Sequence, residues 1–122
     1  MANISEEPAT APTNAPENRI RELNDAIRRA GPTAGRWMMT QGVIAEGPEF
    51  ILLAVRAIQA FSAFDPDNDP YSEHDFGALE IEGEKLFWKI DYYDKSLEFG
   101  SEDPAYPART TRILTIMLAS EY

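Results

Sequence analysis

From Ala78 to Tyr93 apolar and polar residues alternate with a period of two, and the alternation breaks once, at Glu82-Gly83-Glu84. A period of two sends successive side chains to opposite faces of a strand, and a glycine between two such runs marks a hairpin. The outgoing strand turns Leu79 and Ile81 one way and Ala78, Glu80 and Glu82 the other. The return strand puts Leu86, Trp88, Ile90 and Tyr92 on the core side and Phe87, Lys89, Asp91 and Tyr93 on the far side. After Asp94-Lys95-Ser96 a third run is expected, with Leu97 and Phe99 facing in and Glu98 facing out. A sheet apolar on one face needs that face covered, so the rest of the chain must supply the cover.

Three segments read as helices. Ile20, Leu23, Ile27 and Ala30 share one face of a helix over 17–30, which Asn14 helps to cap and Gly31-Pro32 ends. Its arginines Arg19, Arg21, Arg28 and Arg29 are matched by Glu17 and Asp25 at helical spacing and read as a solvated face. Gly47-Pro48-Glu49 opens a second helix over 49–63, apolar on most sides and so packed on more than one face. Pro107 opens a third over 108–120, whose Ile113, Leu114, Ile116, Met117 and Leu118 should lie on the sheet. Residues 36–44 alternate and predict a fourth strand, at an edge. The expected fold is α+β: an antiparallel β-meander of three strands plus this fourth, packed against three helices in the order α-β-α-β-β-β-α. A chain of 122 residues suits one domain, over 17–122, after a disordered tail at 1–16 rich in Ala, Pro, Thr and Glu.

Composition bounds the function. There is no cysteine, which removes thiolate ligands and a cysteine nucleophile. No apolar run nears the roughly 20 residues that span a bilayer, and the N-terminus lacks the basic-then-apolar pattern of a leader. The expectation is a cytoplasmic protein with no membrane partner. Residues 61–103 hold thirteen acids against Lys85, Lys89 and Lys95, so they carry the whole formal charge of −10. A field of that sign repels nucleic acid and attracts basic proteins and cations.

Asn68-Asp69-Pro70-Tyr71, Glu73-His74-Asp75-Phe76-Gly77, Phe87-Trp88-Lys89-Ile90-Asp91-Tyr92-Tyr93 and Leu114-Thr115-Ile116-Met117-Leu118-Ala119 occur in that order. On these strings the chain, from about Arg19 onward, resembles the DUF3768 family of bacterial proteins. The resemblance implies small proteins often carried on plasmids or other mobile elements, and it brings no activity, cofactor or catalytic residue.

Three constellations bear chemistry. Asp65, Asp67 and Asp69 open like a calcium loop, and with Glu73 they are candidate ligands for a hard cation. Yet Pro70 stands where the loop's glycine belongs and Phe76 where its bidentate glutamate belongs, so an Asx-rich turn fits as well. His74, the single histidine, lies between Glu73 and Asp75; this trio is the catalytic candidate for a small metal-assisted or histidine-dependent hydrolase, with Ser72 and Tyr71 near. The outer sheet face is expected to present Glu80, Glu82, Asp91 and Glu98 around Lys89, with Phe87 and Tyr93 among them. Carboxylates that steer and rings that desolvate make a docking surface for a basic protein, at spacings that can imitate nucleic acid. The leading expectation is therefore a non-enzymatic interaction protein without a cofactor.

Overall fold

The computed structural model describes residues 16–33 and 36–122. The expected tail and the cap at Asn14 lie outside these residues, apart from Pro16, which begins the first helix. That helix, α1, spans Pro16–Ala30 and stops at Gly31, whose φ of +85° is the left-handed conformation that terminates helices. Its inward stripe is only partly apolar: Ile27 packs on the core, while Asn24 and Arg28 are fully buried. Arg28 is thus not on a solvated face, a correction developed below.

Strand β1 is confined to Trp37–Met39. The alternation predicted over 36–44 stops because Thr40 turns its hydroxyl onto the Val43 N–H (3.5 Å) and caps helix α2, Gln41–Ala45. Val43 enters the core from that helix. Pro48 then opens α3, Pro48–Gln59, which buries Phe50, Ala54 and Ile58 at four-residue spacing. Only this stripe is fully buried; Leu52 and Leu53 are 48% and 40% exposed, against the expectation of packing on several sides.

The hairpin forms as its pattern dictates. β2 is Phe76–Ile81, β3 is Glu84–Tyr93, and Glu82 and Gly83 take positive φ in a two-residue turn. The stretch read as the last helix is instead a strand, β4, Thr111–Leu118. Ile113, Thr115 and Ile116 are β-branched, and in β4, flanked by two strands, Met117 is buried on the face opposite Leu114 and Ile116, with no residue of the strand fully exposed. A strand apolar on both faces loses its period of two and mimics a broad helical stripe. The expected third strand over 97–99 is a loop bridged only at Tyr93 and Gly100. There the Asp94 carboxylate accepts from the Ser96 hydroxyl and the Glu98 and Phe99 N–H groups, and Leu97 (φ +63°) and Phe99 point outward.

The sheet order is β1-β4-β3-β2, with β1 parallel to β4 and the other pairs antiparallel. The fold is α+β with a mixed sheet, in the order α-β-α-α-β-β-β, rather than a pure meander. Leu86, Trp88, Ile90, Leu114 and Ile116 share one sheet face and meet Val43, Phe50, Ala54 and Ile58 in a single core. Gly77 is compelled by that packing, because a Cβ there would stand 2.3 Å from the buried Trp88 Nε1. The opposite sheet face carries no α-helix among the described residues; Tyr122, after a 3-10 turn at Ala119–Glu121, packs its ring on Phe87 there.

Candidate functional site

Two regions gather the residues that the sequence singled out. The first is the join of α1, the 61–75 segment and the sheet. In that segment the Asp65 carboxylate accepts the N–H groups of Asp67 (2.8 Å) and Asn68 (3.0 Å), and Asn68 donates to the Ala63 carbonyl. Asp69 is 6% exposed and accepts the Glu73 and His74 N–H groups on Oδ1. These carboxylates hold their own backbone in place of secondary structure, as Asx turns do. Glu73 in turn accepts the Tyr92 hydroxyl (2.9 Å). The four carboxylates Asp65, Asp67, Asp69 and Glu73 therefore do not converge, and among the described residues no His, Cys, Asp and Glu triplet is placed to hold a metal.

His74 has φ +57° and lays its ring flat on Phe64, 3.8 Å between centroids. Its Nδ1 meets Asp25 Oδ1 at 2.9 Å and its Nε2 faces Asp69 Oδ2 at 3.7 Å. Burial alone would raise the Asp25 carboxyl, but hydrogen bonds from His74 and Arg28 outweigh it and hold the group below the ordinary aspartate range. An ionised carboxylate can only accept, so Nδ1 carries the hydrogen. Arg28, 1% exposed, binds the same Asp25 oxygen at 2.9 Å and gives its other terminal nitrogen to the carbonyls of Ile58, Gln59 and Phe61. Those carbonyls end α3, where a cation is favoured by the helix dipole. Gln59 reciprocates by donating to the Arg29 carbonyl at the end of α1. The histidine thus belongs to a chain, Asp69–His74–Asp25–Arg28, that ties the acidic segment to both helix ends.

A second polar knot lies beside it. Asn24 donates to the Glu73 carbonyl (3.0 Å) and the Tyr92 hydroxyl (2.8 Å) and accepts from Arg112 Nε (2.8 Å). Arg112 also lies over the Tyr92 ring and donates to the Pro104 carbonyl. Burial, with Asp75 and Glu73 near, pushes the Tyr92 phenol far up, so it remains a donor at neutral pH. Asp75, the third member of the expected trio, touches neither knot through its side chain; burial and the neighbouring Glu73 charge raise its carboxyl. Sequence reasoning missed Asn24, Asp25 and Arg112. The available signal was a polar residue on the inward stripe of α1, since Asn24 and Arg28 stand four apart beside Ile20 and Ile27.

The second region is the uncovered sheet face. Of the expected docking set, Glu80, Phe87, Lys89, Asp91 and Tyr93 do stand on it, whereas Glu82 sits in the hairpin turn and Glu98 in the 94–100 loop. The expected row of four carboxylates is thereby reduced to two. Lys89 pairs with Asp91 on its own strand (3.1 Å), and Glu80 lies opposite Lys85, so the face is balanced in charge. Its character is apolar. Phe76, Phe87 and Tyr122 form an aromatic group with centroids 5.2 to 6.2 Å apart. Further along, Met38 (57% exposed), Tyr93, Leu97, Ile113 and Thr115 line an open hollow of about 210 Å³. The net negative charge lies instead at the β2 side of the sheet, where Glu80, Glu82 and Glu84 outnumber Lys85.

The chain belongs to the family described as proteins of unknown function, DUF3768, which matches residues 39–121. No curated protein and no solved structure matches it.

Proposed function

We propose that this DUF3768 protein is a non-enzymatic interaction protein that docks a basic protein partner on its uncovered sheet face. The observation that carries the reading is the one-sided layering. Helices cover one face; on the other, the half-buried aromatic group of Phe76 and Phe87 with Tyr122 lies beside the acidic β2 margin, and Met38, Ile113 and Tyr93 line a hollow toward the β1 edge. Apolar surface flanked on one side by an acidic margin is suited to an encounter: the acids steer a basic partner and the rings and aliphatic groups give desolvated contact. The histidine that a hydrolase would use is held on both sides. His74 has a carboxylate at each nitrogen and a ring packed on Phe64, an arrangement that suits an anchor.

The test is affinity purification of the tagged protein from its host at low salt, with Ile113→Lys as a folded control verified by its melting curve. A basic protein retained by the wild type, lost from the control and released by salt is the expected result. Equal retention by both would refute docking at this face. One observation favours a second reading, a histidine-dependent hydrolase: Asp25 orients His74 as in a catalytic dyad, and Ser72 shares with it an open hollow of about 290 Å³. That reading requires ester hydrolysis abolished by His74→Gln and by Ser72→Ala alike; turnover absent from the wild type would dispose of it.

A further inference from the structure

β2 is the last strand of the sheet, and the hairpin fixes which of its backbone groups face β3. A two-residue turn with positive φ at both Glu82 and Gly83 closes on Ile81 and Glu84 as a pair that exchanges both hydrogen bonds. Counting back by two, Leu79 and Gly77 face β3 as well, and the Asp75 carbonyl accepts the Ile90 N–H at 2.8 Å in the same phase. The N–H and C=O groups of Phe76, Ala78 and Glu80 therefore point away from the sheet. No described residue pairs with them. An unpaired edge of this kind is a template for another strand, and native proteins blunt such edges with lysine, proline or bulges. β2 has no lysine, proline or bulge, and its one charge, Glu80, deters a like-charged strand but not a basic one; it offers alanine at its middle, and a hollow of about 370 Å³ lined by Ala78, Leu79, Glu80 and Lys85 opens beside it.

Charge selects the occupant. Glu80, Glu82 and Glu84 lie along this margin against Lys85, and Glu80 makes no ion pair among the described residues. A second copy of the chain would set these acids against themselves. Residues 1–15 of the same chain hold two glutamates and no lysine or arginine, so they offer no complement. We infer that β2 is extended by a strand from the partner: a peptide segment with lysine or arginine at alternate positions, hydrogen-bonded to Phe76, Ala78 and Glu80 and placing a side chain over Ala78. This rests on the proposed docking of a basic partner and gives that partner its docking mode.

The test uses the full chain and a displayed library of random linear peptides, selected at low salt. The expected winners carry basic residues at every second position. In complex with one of them, the amides of Phe76, Ala78 and Glu80 should exchange with solvent at least about tenfold more slowly, while those of Gly77, Leu79 and Ile81, already bonded to β3, should not change. Ala78→Pro removes an outward N–H that the sheet does not use and should weaken binding at least about tenfold. Glu80→Lys, an exposed change that leaves the backbone intact, should weaken it too should the proline variant fail to fold. Peptides that bind but slow only amides near Met38, Tyr93 and Ile113 would overturn the edge while leaving the docking proposal standing. A library that yields no binder would overturn the added strand, while docking itself stands or falls by the affinity purification. Phe76, Ala78 and Glu80 amides that are already protected in free protein, in a concentration-dependent way, would mean that a second copy holds the edge and would also overturn the inference.

Discussion

Arg28→Met keeps the stem of the side chain and removes four hydrogen bonds from a guanidinium that is 1% exposed: three to the closing carbonyls of α3 and one to Asp25. Removing one partner of a buried ion pair typically costs about 3–5 kcal/mol, because the other charge is stranded. Asp25 keeps His74 and is 15% exposed, which places this case at the low end. The Arg28 Nε, buried with no partner, disappears with the guanidinium and returns about 1 kcal/mol. The net expectation is about 2 kcal/mol, and at about 4 °C per kcal/mol for a domain of this size the melting temperature should fall by roughly 8 °C. Circular dichroism melts and urea titration at pH 7 read this directly. Arg29→Met is the control, since Arg29 is 68% exposed and only 4.0 Å from Asp25; it should move stability by less than about 0.5 kcal/mol. Adding Asp25→Asn to Arg28→Met removes the stranded charge, so the pair should cost at least about 1 kcal/mol less than the sum of the single changes. A fall under about 4 °C for Arg28→Met, or strict additivity, would refute the claim that one guanidinium joins the two helix ends to the histidine segment.

Other perturbations report on different layers. Gly77→Ala drives a methyl to within 2.8 Å of Trp88 and Phe61 atoms, and overpacking beside a fully buried indole should cost at least about 2 kcal/mol by chemical denaturation. The carboxyls of Asp25 and Asp75 respond oppositely to acid. Asp25 is held below its ordinary value of 3.8, so its stabilisation is complete above that value and is lost as pH falls through the lower folded one; Asp25→Asn should destabilise at pH 7 and approach the wild type once pH has fallen below that folded value. Asp75 is held above 3.8, chiefly by burial and then by Glu73, so its ionised form opposes folding once pH exceeds the raised value. Asp75→Asn should therefore raise the melting temperature at pH 7 and lose that advantage below about pH 4.

The hairpin was legible because its information is local. Turn chemistry at Glu82-Gly83 and a strict period of two give both the pairing and the inward set Leu86, Trp88, Ile90, Tyr92 without knowledge of the rest of the chain. β4 was not, since its pattern depends on what covers it. Met117 lies on the outer face opposite Phe87 and is still only 5% exposed, which fills in the polar positions that would have marked a strand. Leu97 and Phe99 alternate as a strand would, but Asp94 gathers three nearby donors and turns the segment into a loop. The polar knots fail to show for a further reason. Asp25 and His74 are separated by 49 residues, and the local pairing of Asp25 with Arg28 and Arg29 already accounted for its charge. That pairing exists; what it hides is that Arg28 points inward, a fact set by where α3 ends.

The acids of this chain fall into two populations, and salt separates them. Asp25, Asp69 and Glu73 are taken up by His74, Arg28, backbone N–H groups and Tyr92 in partly buried positions, where ions screen weakly. Glu80, Glu82, Glu84, Glu98 and Asp67 lack ion partners among the described residues, and with a net charge of −10 they repel one another across the surface. Raising salt from about 0.1 to 1 M shortens the screening length from about 10 to 3 Å. The free protein should then melt at a slightly higher temperature, because self-repulsion fades while the inner network persists. Binding of a basic peptide should weaken over the same range, because the attraction of that outer population is what fades. Opposite signs in the two titrations place the outer acids in recognition and the inner acids in the fold. A melting temperature that falls with salt in step with affinity would mean that the outer acids hold the fold as ion pairs, and the division would be wrong.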